Sequence, residues 1–237
     1  EKDPATGDYY LVMECVDGYD VRQWVRRRQN AWRKLTFEEV VILAYRIAEA
    51  LDYAHENGVI HRDIKPSNVR VNFDGDVKVL DFGLAAQIHT SLSRVSRASY
   101  GTCGTGPYMA PEQWKGVRQD CAADQYALAA TVYELLSGTP PFENCDVAIL
   151  REIVLKQEPH PLKDVLPHVN AALLKALAKE PGKRFRCCGE FVKALAGDGA
   201  SKSLVAVKQE RRNDFQKSES RQTKMTDRRV PQEAGKR

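Results

Sequence analysis

The stretch VIHRDIKPSNVRVNFDGDVKVLDFG, residues 59–83, decides how the rest of the chain is read. Val69, Val71 and Phe73 alternate with Arg70 and Asn72, and Val77 and Val79 follow, a period-two pattern that predicts two short strands. Asp74-Gly75 between them is a strong hairpin signal, because both residues tolerate the positive φ of tight turns. A hairpin brings its ends together, so Asn68 before the first strand is set beside Asp81 after the second. Asp63 and Lys65 stand a few residues upstream, on a loop bearing Pro66. One hairpin mouth thus gathers two carboxylates, an amide oxygen and an ammonium.

Hard oxygen donors such as Asn68 and Asp81 suit Mg²⁺, which takes one or two protein ligands and leaves its other positions to water and phosphates. A lysine nearby neutralises a phosphate as a point charge. A further carboxylate, Asp63, is then free to accept a proton from an attacking hydroxyl. Any one of these residues alone reads as an ordinary solvated turn residue. The four in this order are the parts for phosphoryl transfer.

His61-Arg62-Asp63-Ile64-Lys65-Pro66-Ser67-Asn68 resembles the catalytic loop of the protein kinase family. Asp81-Phe82-Gly83 resembles its magnesium-binding triplet, and Ala110-Pro111-Glu112 the signature that closes its activation segment. The resemblance runs from about Tyr9 to Leu195. It implies a protein kinase-like α+β fold, here mainly the α-helical C-terminal lobe with a small β-hairpin. Residues 1–19 would be a remnant of the small lobe and hinge, 20–197 the C-terminal lobe, and 198–237 a basic, disordered tail. The implied activity is ATP-dependent phosphorylation of Ser and Thr side chains of proteins, as in bacterial kinases, with ATP and Mg²⁺ as cofactors and a protein as substrate.

The same resemblance assigns roles residue by residue. Asp63 matches the catalytic base, and Lys65 the lysine that steadies the transferred phosphate, whose presence points to Ser/Thr substrates. Asn68 and Asp81 match the magnesium ligands. The Val16 N–H and the Glu14 carbonyl would meet adenine, and Asp20 the ribose. Thr105 matches a threonine near the base, and His61 a brace against Phe82. Asp124 resembles the aspartate that holds the catalytic loop's backbone, and Glu112 and Arg184 resemble a buried ion pair. Arg62 resembles an arginine that receives an activation-loop phosphate, expected here on Ser99 or Thr102. Arg70 stands where the family has an apolar side chain beneath adenine; its stem would cover the ring while its head reaches water.

Departures leave two readings open. A Gly-rich phosphate loop, a strand lysine and a helix glutamate would precede Tyr9, where eight residues stand. The chain is then either the C-terminal lobe of an enzyme or a non-catalytic kinase-like module that docks partners. Gly101-Thr102-Cys103-Gly104-Thr105-Gly106 has the wrong order for a phosphate cradle and reads as substrate-binding loop.

Composition narrows the setting. A hydrophobic content of 43% allows a sizeable core. No window holds the ~18 apolar residues of a membrane helix, since Arg46 and Glu49 interrupt the densest segment, Val40 to Leu51. The opening EKDPATGD is no signal peptide. Six cysteines without a CxxC pair argue against zinc, and Cys187-Cys188 is no disulfide framework, so a reducing cytoplasm is expected. The net charge of +4 resides in residues 201–237, where Lys and Arg outnumber Asp and Glu more than twofold. That tail reads as a solvated linker rather than a specific nucleic-acid arm, and no feature specifies an oligomeric state. Thr36-Phe37-Glu38-Glu39 is a capping box that opens a helix running to Gly58. Further helices are expected from about Asp20, over Ala122 to Leu136, and near 146–157, 171–179 and 189–196, with a strand over Tyr9 to Glu14.

Overall fold

The computed structural model describes residues 13–30, 35–82 and 104–197, nearly all within the compact unit Glu1–Leu195. The tail and most of the expected first strand lie outside these residues, and Met13 and Glu14 are not strand. Strand β1, Tyr19–Asp20, leads into helix α1, Val21–Asn30. Helix α2, Phe37–Glu56, opens on the expected capping box. The Thr36 hydroxyl accepts the Glu39 N–H at 3.2 Å, and the Glu39 carboxylate accepts the Thr36 N–H at 2.9 Å. Gly58, at φ +73, carries the chain away from the helix end.

The hairpin forms with strands β2, Val69–Val71, and β3, Val77–Val79, paired Val69↔Val79, Arg70↔Lys78 and Val71↔Val77. Its turn is longer than the sequence pattern suggests. The Asn72 N–H meets the Asp76 carbonyl at 2.9 Å, and the Asn72 side-chain oxygen accepts the N–H groups of Asp74 and Asp76. Gly75 supplies the positive φ, +88. Phe73 therefore belongs to the turn and is 73% exposed, packed edge-on against Tyr19.

β1 adds an unforeseen third strand, pairing Tyr19↔Val71 and Asp20↔Arg70. Gly18 makes this docking possible. It sits at φ +106, and a Cβ there would stand 2.1 Å from the Val71 carbonyl oxygen. The bend that begins the lobe is thereby laid against the hairpin.

Beyond residue 104 the lobe is helical: α3, Pro111–Lys115; α4, Cys121–Ser137; α5, Val147–Lys156; α6, Pro167–Ala176; and α7 over residues 188–197. α4 is apolar nearly all round, and every residue from Ala123 to Tyr133 is buried. It packs against α2 and α6, and Ile47 and Leu51 of α2, Leu173 of α6, and Phe191 and Leu195 of α7 are fully buried. α6 starts earlier than the expected 171, because Pro167 presets a helical φ at the first turn. No helix among the described residues is long and apolar enough to cross a membrane.

Candidate active site

The loop between α2 and β2 is held from behind by one buried carboxylate. Asp124, fully buried on α4, accepts the backbone N–H groups of His61 at 2.8 Å and Arg62 at 2.7 Å, and meets His55 Nε2 at 2.8 Å. Gln113 of α3 holds the next peptide, donating to the Arg62 carbonyl at 2.9 Å. Clamped at both ends, Arg62 adopts φ +71. Such a conformation persists only where the surroundings over-determine it.

His61 is scaffold. Its Nδ1 accepts the Asp63 N–H at 3.2 Å, so the ring proton sits on Nε2 and is donated to the Leu80 carbonyl at 2.6 Å. With both nitrogens committed, the buried ring braces Phe82 edge-on, centroids 4.7 Å apart.

The mouth itself assembles as the hairpin argument requires. The Leu80 N–H bonds the Asn68 carbonyl at 2.8 Å, which draws Asp81 alongside. Lys65 Nζ donates to Asp63 Oδ2 and to the Thr105 hydroxyl, both at 2.8 Å. The Asn68 amide turns toward Asp63 rather than Asp81, donating to its carbonyl at 2.8 Å and to Oδ2 at 2.9 Å. Asp63 Oδ1 is buried and has no hydrogen-bond partner among the described residues. Asp81 is exposed, at φ +64. Thus Asp63, Lys65, Asn68 and Thr105 are brought into one bonded group, with Asp81 beside it.

On the side expected for a nucleotide, Asp20 Oδ1 caps α1 by accepting the Gln23 N–H at 2.7 Å. Glu14 is exposed, its carboxylate 3.4 Å from Lys78, while Val16 is half-buried in the segment before Gly18. Arg70 departs from expectation. Its guanidinium does not run out to water but turns back to the Gly18 carbonyl at 2.6 Å, and its Nε is buried without a partner.

Arg62 is half-buried and lines an open cavity of about 450 Å³ with Arg118 and Gln119. Ser99 and Thr102 lie outside the described residues. Glu112 and Arg184 form the bidentate pair anticipated from the sequence, at 2.7 and 2.8 Å. Three partners were not anticipated: His55, Gln113, and the half-buried chain in which Arg22 donates to Tyr108 and Tyr108 to Glu134. Burial and the Glu134 carboxylate push the Tyr108 phenol up from its ordinary range. All act across long sequence separations, which no local pattern reports.

Comparison with known proteins identifies the family. The protein kinase domain family matches residues 4–195. The chain is 37% identical over 196 residues to serine/threonine-protein kinase PknF of Mycobacterium tuberculosis, covering 80% of this chain and 40% of the relative. It is 36% identical over 186 residues to the probable serine/threonine-protein kinase SCO3848 of Streptomyces coelicolor, covering 77% and 27%. It is 35% identical over 186 residues to PknB of Mycolicibacterium smegmatis, covering 77% and 29%. The chain spans less than half the length of each of these relatives.

Proposed function

The chain belongs to the protein kinase family, and from that premise we propose that it carries the C-terminal lobe of an enzyme that transfers the γ-phosphoryl group of ATP to Ser and Thr hydroxyls of proteins. The observation that carries this reading is the buried, unpartnered Oδ1 of Asp63 beside the Lys65–Thr105 contact. A buried carboxylate oxygen without a donor is unfavourable for the fold alone. It becomes favourable when a substrate hydroxyl donates to it, which is the position of a general base.

The remaining residues fit the same reaction. Lys65, anchored to Asp63 and Thr105, is placed to neutralise charge on the phosphoryl group in flight. Thr105 joins the loop that would receive the substrate to the base. Asn68 and Asp81 offer the hard oxygens that would hold Mg²⁺, whose role is to neutralise the phosphate oxygens. The carboxylate oxygen of Asp20 not used in capping would meet the ribose, and the Val16 N–H and Glu14 carbonyl the adenine edge. Bacterial Ser/Thr kinase relatives support a protein substrate.

The test is transfer of labelled phosphate from ATP to a protein substrate by the full-length protein, followed by identification of the modified residue. Phosphoserine or phosphothreonine is expected, and its loss with Asp63→Asn. Label on tyrosine, or transfer that survives Asp63→Asn, would sink the assignment. No G-x-G-x-x-G loop occurs among these 237 residues, and the V-A-V-K stretch at 205–208 follows the lobe instead of preceding Tyr9, so a polypeptide of residues 1–237 alone is expected to show no measurable transfer.

A further inference from the structure

Behind the catalytic loop, away from its mouth, the fold assembles a second set of chemically capable side chains. Asp52 and His55 lie three apart on α2 and so share one face. Cys188 begins α7. One ligand atom from each of the three lies within 4.8 Å of the others. The site is interior: Cys188 is 1% exposed, and the His55 side chain 8%.

Each group retains a free electron pair. The Asp52 oxygens accept one N–H apiece, from Cys188 at 2.9 Å and Gly189 at 2.8 Å, and each keeps a further lone pair. His55 gives its Nε2–H to Asp124, which leaves Nδ1 as the basic nitrogen. A histidine oriented by a carboxylate in this way is the usual arrangement of a metal-bound imidazole. A carboxylate that merely capped α7 would need neither a thiol nor an imidazole at its side.

We propose that Asp52, His55 and Cys188 bind a single thiophilic divalent cation of the zinc class, joining α2 to α7. On binding, the S–H proton leaves to solvent as the sulfur–metal bond forms. The resulting thiolate and the carboxylate balance the double positive charge, so no net charge is buried. Tetrahedral zinc with sulfur and nitrogen ligands sets neighbouring ligand atoms about 3.5 Å apart. The three groups must therefore close by little more than about 1 Å, within reach of side-chain rotation. Three protein ligands leave a fourth position for water. Cys187 is not assigned, because the group whose ligand atoms lie within 4.8 Å of one another does not include it; its sulfur accepts the Glu190 N–H at 3.4 Å and caps α7. Because Asp124 holds both His55 and the catalytic-loop backbone, an occupied site would brace that loop from behind.

The probe is Co²⁺, titrated into the untagged, chelator-treated chain. One equivalent is expected to give a thiolate-to-cobalt charge-transfer band that Zn²⁺ abolishes by displacement. At a hundredfold excess over its Kd, Zn²⁺ should raise Tm by about 5–10 °C. Cys188→Ser should lose the band and Cys187→Ser keep it. X-ray absorption on the zinc-loaded wild type, which needs no variant to fold, should show one sulfur among nitrogen and oxygen ligands. No band in the folded wild type, a band that persists in Cys188→Ser, or a shell with no sulfur or several would overturn the site.

Discussion

The Asp63–Asn68 mouth and the Glu112–Arg184 pair are both clusters of charged side chains in one lobe, yet they are finished differently. At Arg184 four of the five N–H donors are engaged. Nε donates to the Ala178 carbonyl at 2.9 Å, Nη1 to Glu112 and the Ala122 carbonyl, and Nη2 to the second Glu112 oxygen. The side chain is 0% exposed. At the mouth, among the described residues, Asp63 Oδ1 has no donor, Asp81 stands exposed at a positive φ, and Lys65 donates to two neighbours. Of these two clusters, the pair that holds the fold is nearly saturated by it, and the group proposed to meet a substrate keeps capacity in reserve.

The contrast can be broken at its closed end first. Glu112→Gln leaves a buried guanidinium without its counter-charge and should cost about 3–5 kcal/mol in denaturant unfolding. A loss under about 1 kcal/mol would mean that the pair is not the saturated anchor described. Gly18→Ala probes the bend that docks β1 on the hairpin. At φ +106 with the Val71 carbonyl in the way, a cost of about 1–3 kcal/mol is expected.

The open end predicts the opposite pattern. Asp81→Gly removes a side chain that the fold does not use and suits the positive φ. Thermal melting should therefore be unchanged or improved by up to about 1 kcal/mol, while the full-length enzyme loses transfer. A clear destabilisation would show that Asp81 belongs to the frame.

The smallest effect concerns Lys179, whose Nζ lies buried, without a hydrogen bond, over the Phe142 ring. Burial pushes its pKa down to about 8 from the ordinary 10.5, with Glu158 opposing the shift. Between those values the unfolded chain binds more protons than the folded one, so this residue's contribution to stability rises with pH from about 8 and levels off near 10.5. Melting wild type and Lys179→Met side by side at increasing pH should move the difference steadily in favour of wild type. A difference that stays flat with pH would show that the ammonium is not desolvated.

Much of this was legible locally. The catalytic loop, the Thr36–Glu39 capping box and the apolar α4 each announce themselves within a few turns of sequence, because their physics is short-ranged. β1 was not legible, since a two-residue strand has no period to detect and depends on Gly18 meeting Val71. Phe73 misled because the alternation of Val69 and Val71 continues through it, whereas Asn72 had already begun the turn. His55, Gln113 and the Asp52–Cys188 contact gain meaning only when α2, α3 and α7 pack, across separations that spacing rules do not reach. The expectation against zinc rested on such spacing and could not see that cluster.

The claim that reserve at the mouth serves chemistry rather than folding is tested most directly by one paired measurement on the full-length protein. Asp63→Asn is compared with wild type for phosphoryl transfer and for thermal unfolding in the same preparation. Turnover should fall by about 10²–10⁴-fold, the usual loss for a general base, with Tm almost unmoved. Retained turnover would contradict the account, as would a loss of turnover that merely follows a loss of Tm.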